Sequence, residues 1–128
     1  KTTTIAVILI SVHAYLRNNT GTNVFGSGAG ILFPPHTLCD DVCNEDFMSI
    51  APTNDDLWWW AMAHLKRTPL QLIENSNPNI VCIENTQQDG LCKSENSEGE
   101  VSRQFQNIIA HYPELQQMIN HKMEDVTK

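Results

Sequence analysis

Asn54 to Leu65 reads N-D-D-L-W-W-W-A-M-A-H-L, two adjacent carboxylates running into three consecutive tryptophans. Thr53, with Asp56 three residues on, has the form of a capping box, and Pro69 marks the far limit. The spacing predicts a helix over about Asn54 to Arg67. Successive helical residues lie about 100° apart, so Trp58, Trp59 and Trp60 fan across roughly 200° and cannot all face one core. Leu57, Met62 and Leu65 fill part of the remainder. A helix apolar nearly all round is covered on more than one side: it lies between two layers, or one of its faces lines a cleft.

Asp55 and Asp56 admit two readings. Acidic residues in a first helical turn complement the macrodipole, and Asp56 would complete the capping box. Alternatively, one carboxylate points into a pocket walled by indole rings, where it acts as a general base or holds a hydroxyl. Indole faces suit sugar rings, because they offer a flat apolar surface to C–H groups.

Upstream of this helix, Ile5 to Ser11 is rich in Ile and Val and reads as a buried strand. The longer apolar run to Leu16 follows a lysine, as in a targeting segment. It contains His13, lacks a small-x-small cleavage site, and is too short to span a bilayer. A polar, Gly-rich stretch follows from Arg17 to Gly30, ending in G-S-G-A-G. That run is not G-x-G-x-x-G and leads into the apolar Ile31-Leu32-Phe33, stopped by Pro34-Pro35. Gly28 and Gly30 either form a flexible turn or supply a backbone that a substrate can approach closely. Asp40 to Ile50 reads as a short helix broken near Asn44.

Downstream, Leu70 to Ile73 and Ile80 to Ile83 read as strands on either side of N-S-N-P-N. Residues 85–99 are polar and acidic and read as a mobile loop. Val101, Phe105, Ile108, Ile109 and Tyr112 then recur at helical spacing. After Pro113, a good first helical residue, Leu115, Met118, Ile119 and Met123 repeat the pattern. One α/β domain over residues 1–128 is expected, with a short mixed sheet and flanking helices.

Charge narrows the partners. Fifteen acidic residues against eight basic ones give a net charge of −7, and the largest basic cluster is Lys66-Arg67. A nucleic-acid binder needs a basic face to release phosphate counterions, and an anionic membrane makes the same demand, so neither is expected. Small molecules or neutral polymers fit better. The histidines show no HxxxH or HxH spacing, and cysteines at 39, 43, 82 and 92 lack the usual zinc-knuckle intervals. No metal site is expected in this chain. Cys39 and Cys43 would sit one helical turn apart as small buried side chains, all four thiols being reduced. An even cysteine count and the acceptor sequon Asn18-Asn19-Thr20 leave a secreted, disulfide-linked chain as the alternative.

Taken in order, G-S-G-A-G-I-L-F-P-P-H-T-L, N-E-D-F, A-P-T-N-D-D-L-W-W-W-A-M-A and H-Y-P-E-L resemble the C-terminal, acceptor-side half of bacterial family 2 glycosyltransferases of the GT-A fold. The likeness covers about Gly26 to Leu115. In that family a Gly-rich segment leads into a strand and an acidic pair opens a helix twenty to thirty residues later. The resemblance implies sugar transfer from a nucleotide-diphospho-sugar to a glycan or lipid-linked acceptor in capsule or lipopolysaccharide synthesis. It also implies a cytoplasmic enzyme with a peripheral position at the inner membrane.

By the same resemblance, Asp55 and Asp56 occupy the acidic pair, and Asp56 is the expected base on the acceptor hydroxyl. Gly28 and Gly30 would approach the substrate, and Trp58 or Trp59 would wall the acceptor. The family's D-x-D-like motif, which holds Mg or Mn against the donor diphosphate, has no counterpart here, so those ligands are expected outside this chain. The segment alone is expected to be inactive.

Two rivals remain from the residues. One is a secreted, disulfide-linked carbohydrate-binding module with the tryptophans as a stacking platform. The other is a non-catalytic assembly domain derived from the transferase fold, a homo-oligomer with the apolar helix as its subunit interface.

Overall fold

The computed structural model describes residues 6, 8–11, 15–17, 23–25, 30–73, 83–85 and 98–126. Four strands come first: β1 (Ile8–Ser11), β2 (Tyr15–Arg17), β3 (Asn23–Phe25) and β4 (Ile31–Leu32). A 3-10 turn (Asp40–Cys43), α1 (Phe47–Ile50), α2 (Asp55–Leu65), β5 (Leu70–Ile73), α3 (Glu98–His111) and α4 (Pro113–Val126) follow. The main sheet has the order β4-β1-β5, with β1 antiparallel to β4 and parallel to β5. It is therefore a small mixed sheet with helices packed on it, the α/β class that the alternation of patterns implies.

Ile8 pairs with Leu70, and Leu9 lies between Leu32 and Gln71. Alternation along a strand sends neighbours to opposite faces, so Ile8 enters the core while Leu32 and Gln71, in the next row, stay exposed. β2 and β3 form a separate antiparallel pair. β3 lies inside the stretch read as a Gly-rich loop; its two apolar residues, Val24 and Phe25, are too few to register as a periodic run, and pairing with β2, beside α2, makes a strand of them.

The core is built around α2. Leu57, Trp58, Trp60, Ala61, Met62 and Ala63 are all buried, together with Ile8, Ile50, Ile108, Tyr112 and Leu115. Trp58 packs on Phe47 and Tyr112 at 5.5 and 5.9 Å between ring centroids. Trp60 packs on Phe105 at 5.5 Å, and Trp59 meets Phe33 edge-on at 5.8 Å. The three indoles thus enter three different contacts, as their 100° spacing requires. Covered by its own chain on the Trp58 and Trp60 sides, α2 has no wide apolar face left over.

The carboxyl end of α2 is closed by a Schellman arrangement. Arg67 N–H donates to His64 O at 2.8 Å and Thr68 N–H to Ala63 O at 3.0 Å, with Arg67 at φ 58°. The left-handed conformation favours glycine at this position, and Arg67 is exposed. Arg67→Gly is therefore expected to stabilise the protein by about 0.5–1 kcal/mol after the added unfolded-state entropy is deducted. Chemical denaturation checks this, and an unchanged or lower midpoint would contradict it. His36, at φ 65°, occupies the third position of the turn Pro34 to Thr37. Thr68 Oγ1 donates to Thr37 O at 2.6 Å and Ile8 N–H to Pro69 O at 3.0 Å, which ties this turn and the end of α2 to the amino ends of β1 and β5.

Several expectations are corrected. The cap of α2 is Asn54, whose Oδ1 accepts from Leu57 N–H at 3.1 Å, one residue later than the expected Thr53. The break expected near Asn44 in the Asp40 to Ile50 helix is present, the Asn44 side chain accepting from Asp46 N–H at 3.0 Å, but the first piece is a 3-10 turn and only the second is an α-helix. Cys39 and Cys43 are free thiols, but Cys39 is only half-buried and Cys43 exposed, because Cys39 is extended ahead of the turn and the tighter 3-10 turn does not stack residues four apart. Residues 98 and 99 of the expected loop belong to α3, where the Glu100–Arg103 ion pair supports a first turn that carries no apolar side chain before Val101. Residues 86–97 lie outside the described residues, as do Cys82, Cys92 and residues 80–82 of an expected strand. Ile83, the end of that run, is in no strand and is exposed.

Candidate functional site

Asp55 and Asp56 form the first turn of α2; Asp55 is exposed and Asp56 half-buried. Residues three and four apart are neighbours on a helix, so Trp59 lies beside both carboxylates, at i+4 from one and i+3 from the other. Trp59 is also the half-buried indole of the three. Its edge contact with Phe33 joins it to the chain that follows Gly30.

Trp58, by contrast, is a core side chain. It is 1% exposed and its Nε1–H donates to Val42 O at 3.1 Å, so its ring is not available to an acceptor wall and Trp59 alone has that access. Trp60 is 0% exposed and its Nε1 has no hydrogen-bond partner among the described residues. Its ring stacks on His64 at 4.4 Å, and His64 donates from Nδ1 to Trp60 O at 2.8 Å, which fixes the proton on that nitrogen.

Gly30 is exposed at φ 103°, a backbone conformation that side-chain-bearing residues rarely adopt. The turn into β4 is reason enough for a glycine there. Gly28 lies outside the described residues. Ile31 pairs with Ile10, so Gly30 sits toward the carboxyl end of β1. The carboxyl end of α2 is tied to the opposite, amino end of β1 and β5, so the acidic first turn lies at the end of the helix remote from that junction. Gly30 and the acidic pair are thus both set away from that junction.

The segment that leads into Asp55 is held by α3, through side chains that helical periodicity did not single out. Gln104 is 0% exposed; its Nε2 donates to Thr53 Oγ1 at 2.7 Å, and Thr53 N–H donates to its Oε1 at 3.3 Å. Asn107 Nδ2 donates to Ile50 O at 3.1 Å. The available signal was Gln104 itself, a polar residue set into the stripe Val101, Phe105, Ile108 and Tyr112.

On the far side of Trp58, Tyr112 donates to Asp41 Oδ2 at 3.1 Å. Burial, and then this hydrogen bond to a carboxylate, push the phenol up to about 12. A phenol whose pKa is raised by folding contributes stability that is whole below its unfolded value, about 10, and lost as pH rises from there to about 12. Urea denaturation across that interval should show wild-type stability falling more steeply than that of Tyr112→Phe; parallel curves would contradict the assignment.

Among the described residues no group of three His, Cys, Asp or Glu side chains could hold a metal ion. No helix among them is long and apolar enough to cross a membrane. What the fold and site define is a mixed α/β domain whose central aromatic helix presents two carboxylates beside a half-buried indole. Such carboxylates can accept a proton or a hydrogen bond from a hydroxyl. No protein-family model, curated protein or solved structure matches the chain.

Proposed function

We propose that this chain is the acceptor-side portion of a GT-A-like glycosyltransferase that moves a sugar from a nucleotide-diphospho-sugar to a glycan or lipid-linked acceptor in bacterial surface polysaccharide synthesis. The observation that carries this reading is the grouping of Asp55, Asp56 and Trp59 on the first two turns of α2, where the resemblance puts the acceptor base and wall. Asp56 takes the proton of the acceptor hydroxyl as its oxygen bonds to the anomeric carbon. The bond from that carbon to the diphosphate oxygen breaks, and the nucleotide leaves with the electron pair. Trp59 offers its exposed part to the acceptor ring.

A divalent Mg or Mn ion in such enzymes offsets charge on the departing diphosphate. The described residues do not fit it, so no step of this chain runs through it, and the D-x-D half belongs elsewhere in the complete enzyme. A cytoplasmic location, peripheral at the inner membrane, follows from the same reading. The test is transfer of labelled sugar by the complete enzyme across a panel of nucleotide-diphospho-sugars with lipid-linked and glycan acceptors. Turnover with one donor is expected; absence of both turnover and nucleotide-sugar binding across the panel would overturn the proposal.

A further inference from the structure

We propose that Gln104 is a positioning residue for the acidic pair, setting from α3 the direction in which the first turn of α2 presents Asp55 and Asp56. This rests on the transferase reading above and adds to it a device in a distant part of the chain.

Gln104 occupies a core position on α3, fully shielded from water, where the surrounding stripe is apolar. A buried carboxamide is unfavourable there unless its groups are paired. Both ends are paired with the same residue, Thr53, one through the hydroxyl and one through the backbone N–H, across 51 residues of sequence. Gripping the N–H fixes the peptide plane that enters Thr53. Asn107, three residues further along the same helix, holds Ile50 O, so the connection between α1 and α2 is fastened at two points.

Only Asn54 separates the clamp from Asp55, and Asn54 is itself restrained by its cap to Leu57 N–H. The first turn therefore has little freedom to reorient while the clamp is closed. Packing alone would be met by leucine at position 104. The carboxamide is needed to place the turn, and a base must lie within hydrogen-bond reach of the proton it takes. An ångström of misplacement in such a group lowers turnover by up to about 100-fold.

The test uses Gln104→Leu, Thr53→Val and the double variant in the complete enzyme, with Asp56→Asn in parallel. Gln104→Leu is expected to lower kcat by about tenfold to 100-fold while donor and acceptor KM stay within about twofold and the circular dichroism spectrum is retained. Thr53→Val, which keeps shape but loses the hydroxyl, is expected to lower kcat less. The double variant should match Gln104→Leu alone, because the two residues act as one unit. Thr53→Ser should restore kcat. If Gln104→Leu does not fold, Thr53→Val and Thr53→Ser carry the test by the same split between kcat and KM.

A folded Gln104→Leu enzyme of lower thermal stability but undiminished kcat, with Asp56→Asn inactive, would overturn the positioning role and leave the transferase reading standing. An Asp56→Asn enzyme that still transfers sugar would overturn the base role of Asp56 and the positioning role with it, whereas absence of both turnover and nucleotide-sugar binding in the unsubstituted enzyme would overturn the transferase reading itself.

Discussion

Asp56→Asn in the complete enzyme is expected to lower sugar transfer by at least about 100-fold, the range that a positioned general base contributes. The substitution keeps size and hydrogen-bonding shape and removes the ability to take a proton. Its structural effect should be small. Asp56 is half-buried in the first turn of an 11-residue helix whose cap is supplied by Asn54, so the loss is that of a favourable charge at a helix amino end, about 0.3–1 kcal/mol. Asp55→Asn, at the exposed neighbour, should reduce transfer less. Initial-rate assays beside thermal melts separate the outcomes. Lost stability with retained transfer would make Asp56 a helix-end charge and nothing more.

Trp58→Ala is expected to destabilise the domain by about 3–5 kcal/mol, the usual result of truncating a buried aromatic. Total stabilities of such domains are about 5–15 kcal/mol, so much of the fold's margin would go. Trp58 is the meeting point of three segments: its ring packs on Phe47 and on Tyr112, and its indole holds Val42 O. A finer comparison isolates the hydrogen bond. Trp58→Phe should cost more than Trp60→Phe, because the first leaves a part-buried carbonyl without its donor, whereas the second removes an Nε1–H that has no partner among the described residues. Equal losses in chemical denaturation would show that ring volume alone matters at both sites.

How far the fold was legible depended on the range of the interactions. Periodicity over Asn54 to Leu65 was enough to place α2 and to show that no single core could receive three successive indoles. Pro113 and the repeat after it marked α4 at its first residue. Short, weakly patterned elements were harder: β3 exists through its pairing with β2, and the 3-10 turn at Asp40–Cys43 exposes a thiol that helical spacing would have buried. At the candidate site the carboxylates and glycines were visible as residue types. Which indole stays open beside them was not, since Trp58 and Trp59 differ only in what the rest of the chain lays over them.

The sequence by itself determined that α2 would be a central, many-sided helix opening on two carboxylates, because local angles between successive residues require it. Only the tertiary structure decided that Trp58 and Trp60 are fully buried while Trp59 stays half-buried. It also decided that Gln104 grips Thr53. Those outcomes depend on contacts between residues tens of positions apart, and a helical repeat records how side chains are spaced around an axis without recording what arrives to meet them.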